Sequence, residues 1–209
     1  FSATDISQFL VSFMRLFEKI QPLRYPGFAF AWLELISYKE FMPVVLANHS
    51  NAQIKLGLWT KYGNLLIAIF KFLKEVSDPE FFKTVTLKTF YKGVMRVLLV
   101  ILNDFPDFLV EMSFTLCEHI PEKFIQIRNL VLSAYPSTIK PPNPLIKFEM
   151  KEEYRALPIV MATFTERVKS LDLHTSLANY LSNQNNETYF REICNKLTMT
   201  TESSRITIN

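Results

Sequence analysis

The sequence predicts an all-α fold, an irregular HEAT-like stack of antiparallel helices, and three observations carry that reading. Nearly every segment repeats its apolar residues at steps of three and four, the spacing of one helix face. Four glycines in 209 residues are too few for the tight turns of a β-barrel or sandwich. Prolines fall between the periodic segments, where they start or stop helices and join antiparallel neighbours by short turns. With 49% hydrophobic and 21% charged residues the composition is globular. The length suits one domain with a large core, expected over residues 1–199, with the polar residues 200–209 as a frayed end.

Thr4 and Asp5 offer caps for a first helix, in which Ile6, Phe9, Leu10, Phe13, Leu16, Phe17 and Ile20 share one face. Pro22 ends it. Pro26 suits the first turn of a second helix over Phe28–Tyr38, and Pro43 should break or kink its continuation. A third helix is expected from about Gln53 to Val76, with Gly57 and Gly63 each costing about 1 kcal/mol relative to alanine. Ser77-Asp78-Pro79-Glu80 is a start signal for the next helical region. That region ends in Val94–Asn103, apolar nearly all round and so expected to lie buried in the middle of the domain.

Further helices are expected from Phe105-Pro106 to about His119, and from Pro121 to Tyr135-Pro136. The run from Pro136 through Pro141, Pro142 and Pro144 lacks backbone donors, so an extended surface crossing is expected near residues 136–147. Shorter helices should follow at about Pro158–Val168, Leu171–Leu181 and Asn186–Leu197.

Twenty-three basic against twenty acidic side chains leave a net charge of +3, short of the bias of a fold built to grip phosphate backbones. Two cysteines without CxxC spacing argue against a disulfide scaffold and for a reducing compartment. No apolar run approaches the ~20 residues of a membrane span, and no signal peptide opens the chain. A start at Phe1 rather than Met suggests a piece of something longer.

Catalytic signals are absent. Cys117 and His119, two apart on a helix, point about 200° away from each other and do not make a nucleophile–base pair. His49, His119 and His174 have no metal-ligand spacing, and no cofactor motif occurs. Glu152 and Glu153, with Lys151 and Arg155, read as a solvated charge run. The chain is therefore read as non-enzymatic, with no metal or cofactor.

Two sets of charges remain. Lys88, Lys92 and Arg96 step by four and form a basic stripe, which reads as an ordinary solvated face or as a surface for an acidic partner segment or weak direct RNA binding. Arg96, Arg128 and Glu34 each sit in an apolar string, so Glu34 is expected to form a buried ion pair with Arg96 or Arg128. The aromatic groups Phe28/Phe30/Trp32, Phe81/Phe82 and Phe90/Tyr91 read mostly as core, with a minority lining grooves between helices. Phe148, Tyr154, Leu157 and Ile159 are further candidates for contact with a partner.

Three strings are specific. Tyr25-Pro26-Gly27-Phe28 followed by Ala31–Ser37, Tyr91–Pro106, and Gln126–Pro136 with Pro142-Asn143-Pro144 resemble the C-terminal homology domain of the large scaffold subunit (Not-one) of the CCR–NOT deadenylase complex. The resemblance spans roughly residues 20 to 145. Tyr38-Lys39 stands where relatives tend to have His-Arg, which marks a divergent member. The resemblance implies a HEAT-like scaffold without catalysis that docks the Not-two and Not-three (or Not-five) subunits. It also implies reception of short peptide motifs from RNA-binding repressors, in mRNA deadenylation, translational repression and decay. The implied locations are the cytoplasm, including processing bodies, and the nucleus.

Overall fold

The computed structural model describes residues 3–77, 84–138, 145, 165–166, 168–170, 172–182, 189–191, 195, 198–200 and 206–208. The chain forms two compact units, Phe1–Phe148 and Glu149–Asn209, where the sequence suggested one domain through residue 199.

In the first unit, α1 (Ala3–Lys19) buries Leu10, Met14 and Phe17 at steps of four and three. A 3₁₀ turn over Pro26–Phe28 leads into α2 (Ala29–Ile36), and Pro43 sits in the first turn of the short α3 (Met42–Leu46). The two helices α2 and α3 are thus separate, and Pro43 sits where a missing N–H costs α3 nothing. Helix α4 (Ala52–Val76) begins where Asn51 Oδ1 accepts from the Gln53 and Ile54 amides at 2.9 and 3.3 Å.

Helix α4 is the axis of the unit, packed against α1, α3 and α6 (Pro106–His119). Six consecutive residues, Leu65 to Phe70, are buried, more than a full turn and hence enclosed on every side. The sequence had pointed instead to Val94–Asn103 as the central helix. In α5 (Val85–Asp104) only one face is covered, by way of Phe90, Val94, Val97, Leu98 and Ile101. Leu99 and Val100 on its other side are 51% and 42% exposed. An apolar run states a preference for burial; the number of neighbouring helices decides whether it is met.

Two buried donors tie the helix ends together. Trp32 Nε1 donates to the Phe17 carbonyl at 3.0 Å, in the last turn of α1. Tyr62 Oη donates to the Ile36 carbonyl at 3.0 Å, at the end of α2. Both acceptors belong to the set that a helix C-terminus leaves without an intrahelical partner. Complete burial pushes the Tyr62 phenol far above its ordinary pKa, so it stays a neutral donor. Edge-to-face rings continue the core from Phe17 to Phe41 (5.5 Å), from Tyr62 to Phe108 (5.8 Å) and from Trp59 to Phe108 (5.8 Å). Gly63 marks a close approach: a Cβ there would lie 2.5 Å from Met112 Cε on α6.

Helix α7 (Ile125–Leu132) packs on α5 and α6. After it, Ser137 is fastened to the first turn of α6: its amide and Oγ donate to Asp107 Oδ1 and Oδ2 at 2.9 and 2.7 Å. Partial burial on its own would raise the Asp107 pKa. The Ser137 and Asn48 hydrogen bonds and the Lys55 charge outweigh it and hold the carboxyl below its ordinary value. The folded chain then releases this proton more readily than the unfolded chain. The associated stabilisation is present above the ordinary aspartate range and is lost as pH falls through the lower folded value. The gap in unfolding midpoint between wild type and Asp107→Asn should be open at about pH 6 and closed by about pH 2.

Pro136, Ser137 and Thr138 are not helical; the rest of the crossing expected near 136–147 lies outside the described residues, apart from a turn at Leu145.

In the second unit, residues 168–170 are helical and stop at Asp172, which has φ +52°. The Asp172 amide donates to the Lys169 carbonyl and the Leu173 amide to the Val168 carbonyl, a Schellman closure with aspartate in the left-handed position. Helix α8 (His174–Ser182) follows, and Tyr180 stacks on Tyr189 at 4.8 Å. Of the end expected to fray, residues 201–205 and 209 lie outside the described residues; β1 (Thr198–Thr200) pairs antiparallel with β2 (Ile206–Ile208), Met199 opposite Thr207. Their threonines and isoleucines are β-branched and favour extended backbone over helix.

Candidate functional site

Helix α5 places its basic residues by simple periodicity. Phe90, Val94, Val97 and Ile101 commit one face to the core, and Lys88, Lys92 and Arg96 are exposed on another. Between the two faces lie Tyr91 and Met95, each half-buried. They form the floor of a groove of about 470 Å³ whose other wall includes Gln126 of α7. That volume falls within the ~300–1,000 Å³ of ordinary ligand sites.

The floor is held from below. The Tyr91 ring stacks on Phe124, just before α7, with centroids 5.3 Å apart and an interplanar angle of 29°. Its hydroxyl donates to Gln126 Oε1 at 3.2 Å. Burial raises the Tyr91 pKa, which keeps the phenol neutral. The lining is almost wholly apolar, three cations stand around it, and no carboxylate belongs to it among the described residues. An apolar side chain fits the floor while acidic neighbours on the same segment meet Lys88, Lys92 and Arg96.

The structure therefore gathers Lys88, Lys92 and Arg96 into one site, as their spacing implied. Tyr91, Met95 and Gln126 were not singled out for it. Tyr91 carried a partial signal, as an aromatic beside the core residue Phe90; Gln126 carried none, since it comes from a helix 35 residues further on. Phe148, Tyr154, Leu157 and Ile159 lie outside the described residues.

The expected ion pair is corrected. Glu34 is exposed on α2 and Arg96 is exposed on the groove rim. Arg128 is half-buried and donates through Nη2 to the carbonyl of Ile120, the residue just after α6, at 2.9 Å. In both Glu34 and Arg96 the charged position falls on the solvent side of a helix whose apolar neighbours face the core. Among the described residues, ion pairs form at Lys61–Glu18 (3.6 Å) and Lys39–Glu40 (4.0 Å).

Cys117 and His119 take structural roles. Burial raises the Cys117 thiol pKa, only partly offset by the Arg128 charge, which is the reverse of an activated thiolate. His119 Nδ1 is hydrogen-bonded to the Thr115 carbonyl at 2.8 Å. No cluster of three His, Cys, Asp or Glu suited to a metal ion occurs among the described residues, and no helix among them is long and apolar enough to cross a membrane.

All 209 residues match the family model described as CCR4-Not complex component, Not1. The chain is 40% identical over 141 residues to the CCR4-NOT transcription complex subunit let-711 of Caenorhabditis elegans, covering 65% of this chain and 5% of that protein. It is 33% identical over 178 residues to general negative regulator of transcription subunit 1 of Saccharomyces cerevisiae, covering 84% and 8%. It thus spans less than a tenth of the length of these relatives. Among solved structures, a Not1 C-terminal domain in complex with Not4 aligns at TM-score 0.64 and 32% identity, over 91% of this chain and 36% of that one. The NOT1 superfamily homology domain from Chaetomium thermophilum aligns at TM-score 0.70 over 100% of this chain and 41% of that one; at 22% identity it bears on the fold alone.

Proposed function

This chain belongs to the Not1 family of CCR4-Not complex components, and from that premise we propose that it is a non-catalytic docking module which receives other subunits of that complex. The observation that carries the reading is the α5–α7 groove, with its apolar floor of Tyr91 and Met95 beneath Lys88, Lys92 and Arg96. The occupant is a segment of the Not-two/Not-three (or Not-five) pair bearing an apolar anchor flanked by acidic residues. That a Not1 C-terminal domain is held in complex with Not4 supports a subunit of the same assembly as the class of ligand. Short peptide motifs of RNA-binding repressors have the same chemistry. The role served is mRNA deadenylation, translational repression and decay, in the cytoplasm, including processing bodies, and in the nucleus.

The three aligned cations also favour a second reading, weak direct RNA binding along α5. Co-purification with the Not-two/Not-three pair at micromolar concentration separates the two. The pair should be retained, and Lys88→Glu with Lys92→Glu should slow association about tenfold while changing dissociation less. Failure of the folded wild-type protein to retain the pair, together with steeply salt-dependent RNA binding that the same substitutions remove, would favour the RNA reading.

A further inference from the structure

Helices α1 and α4 enclose a second groove, of about 540 Å³. Its cations are Arg15 and Lys19 on α1, Arg24 in the turn that follows, and Lys61 and Lys71 on α4. Glu18 is the one carboxylate among its described lining residues, and Lys61 already engages it at 3.6 Å. The groove carries four net positive charges, more than the +3 of the whole chain. Like charges held this close repel one another, and an anion resident in the groove removes that repulsion.

The geometry narrows the choice of anion. Lys61, Asn64, Ala68 and Lys71 step by three, four and three along one face of α4. The cations on that face extend over about 15 Å at 1.5 Å per residue, the length of about five residues of extended peptide. No aromatic ring lines the groove, so nucleotide bases find no stacking platform there. The Asn64 side chain offers both a donor and an acceptor, which match a peptide main chain. The α5–α7 groove differs in kind, because its lining is nearly all apolar, whereas here polar and apolar surface are balanced.

We propose that the α1–α4 groove binds an acidic peptide segment of a partner protein, its carboxylates paired with Arg15, Lys19, Arg24 and Lys71. Guanidinium forks at Arg15 and Arg24 give the pairing its geometry, and the lysines give it charge. This site is independent of the α5–α7 groove and does not rest on its occupant.

The test is a titration of fluorescein-labelled hexaglutamate into the natural full-length protein, followed by fluorescence anisotropy. Saturable binding is expected, weakened at least about tenfold by Arg15→Glu with Lys71→Glu. Because both side chains are exposed, the fold should survive, and the neutral pair Arg15→Gln with Lys71→Gln should give a smaller loss in the same direction. Lys88→Glu with Lys92→Glu should change the affinity by less than about twofold. The proposal is overturned by an absence of saturable binding, by equal losses from the two charge-reversed pairs, or by unlabelled hexauridylate displacing the probe at lower concentration than unlabelled hexaglutamate.

Discussion

Replacing Trp32 with alanine is expected to destabilise the first unit by about 4–6 kcal/mol, combining the loss of a buried indole with the stranding of a carbonyl. Trp32 is wholly buried, in the core that α2 shares with α1 and α4. Its truncation leaves a cavity of aromatic size, and the dense packing of a protein interior closes such cavities only in part. The Phe17 carbonyl loses its Nε1 donor at the same time and remains at the end of α1 without a buried partner. Against a typical total of about 5–15 kcal/mol, this leaves the unit marginal or unfolded at 37 °C. Two variants divide the effect. Trp32→Phe keeps most of the ring and removes the donor. Tyr62→Phe removes the corresponding bond to the Ile36 carbonyl with almost no change in volume, at about 1–3 kcal/mol. Chemical denaturation followed by circular dichroism measures all three, and a loss under 2 kcal/mol for Trp32→Ala would contradict the packing described.

Substituting Met95 with glutamate is expected to weaken retention of the Not-two/Not-three pair by about a hundredfold or more, the cost of losing a central anchor contact. The new carboxylate stands on the groove floor among Lys88, Lys92 and Arg96. It removes apolar surface where the partner's anchor would sit, and it competes for the cations that would meet the partner's acids. Met95 is half-buried and flexible, so the helix should tolerate the change. Leu99→Glu is the matched control: Leu99 is exposed on the same helix, does not line the groove, and should leave binding unchanged. Surface plasmon resonance with both variants decides the matter, and equal effects would remove the α5–α7 groove as the docking site.

Much of this architecture is local and was therefore legible in one dimension. The end of α4 at Val76, the break ahead of Pro43 and the restart at Pro106 follow from proline geometry and from the three–four repeat. The basic stripe of α5 was equally legible, because a step of four on a helix aligns side chains whatever surrounds them. The strands at 198–200 and 206–208 escaped notice, since a pairing depends on two segments meeting and short polar stretches carry no period of their own.

In the first unit the sequence by itself determined where the main helices run, and that Lys88, Lys92 and Arg96 stand together. Only the tertiary structure decided that the Leu65–Phe70 stretch of α4, rather than any stretch of α5, is buried all round, because enclosure depends on how many helices pack around an element. It alone decided that Glu34 and Arg96 face solvent and that Arg128 turns to the Ile120 carbonyl. It also placed Gln126 across from Tyr91, and the cations of α1 beside those of α4. Periodicity is written in neighbours three and four residues apart. A groove is made by residues brought together from helices far apart in the chain, and their approach is set by the packing of the whole core.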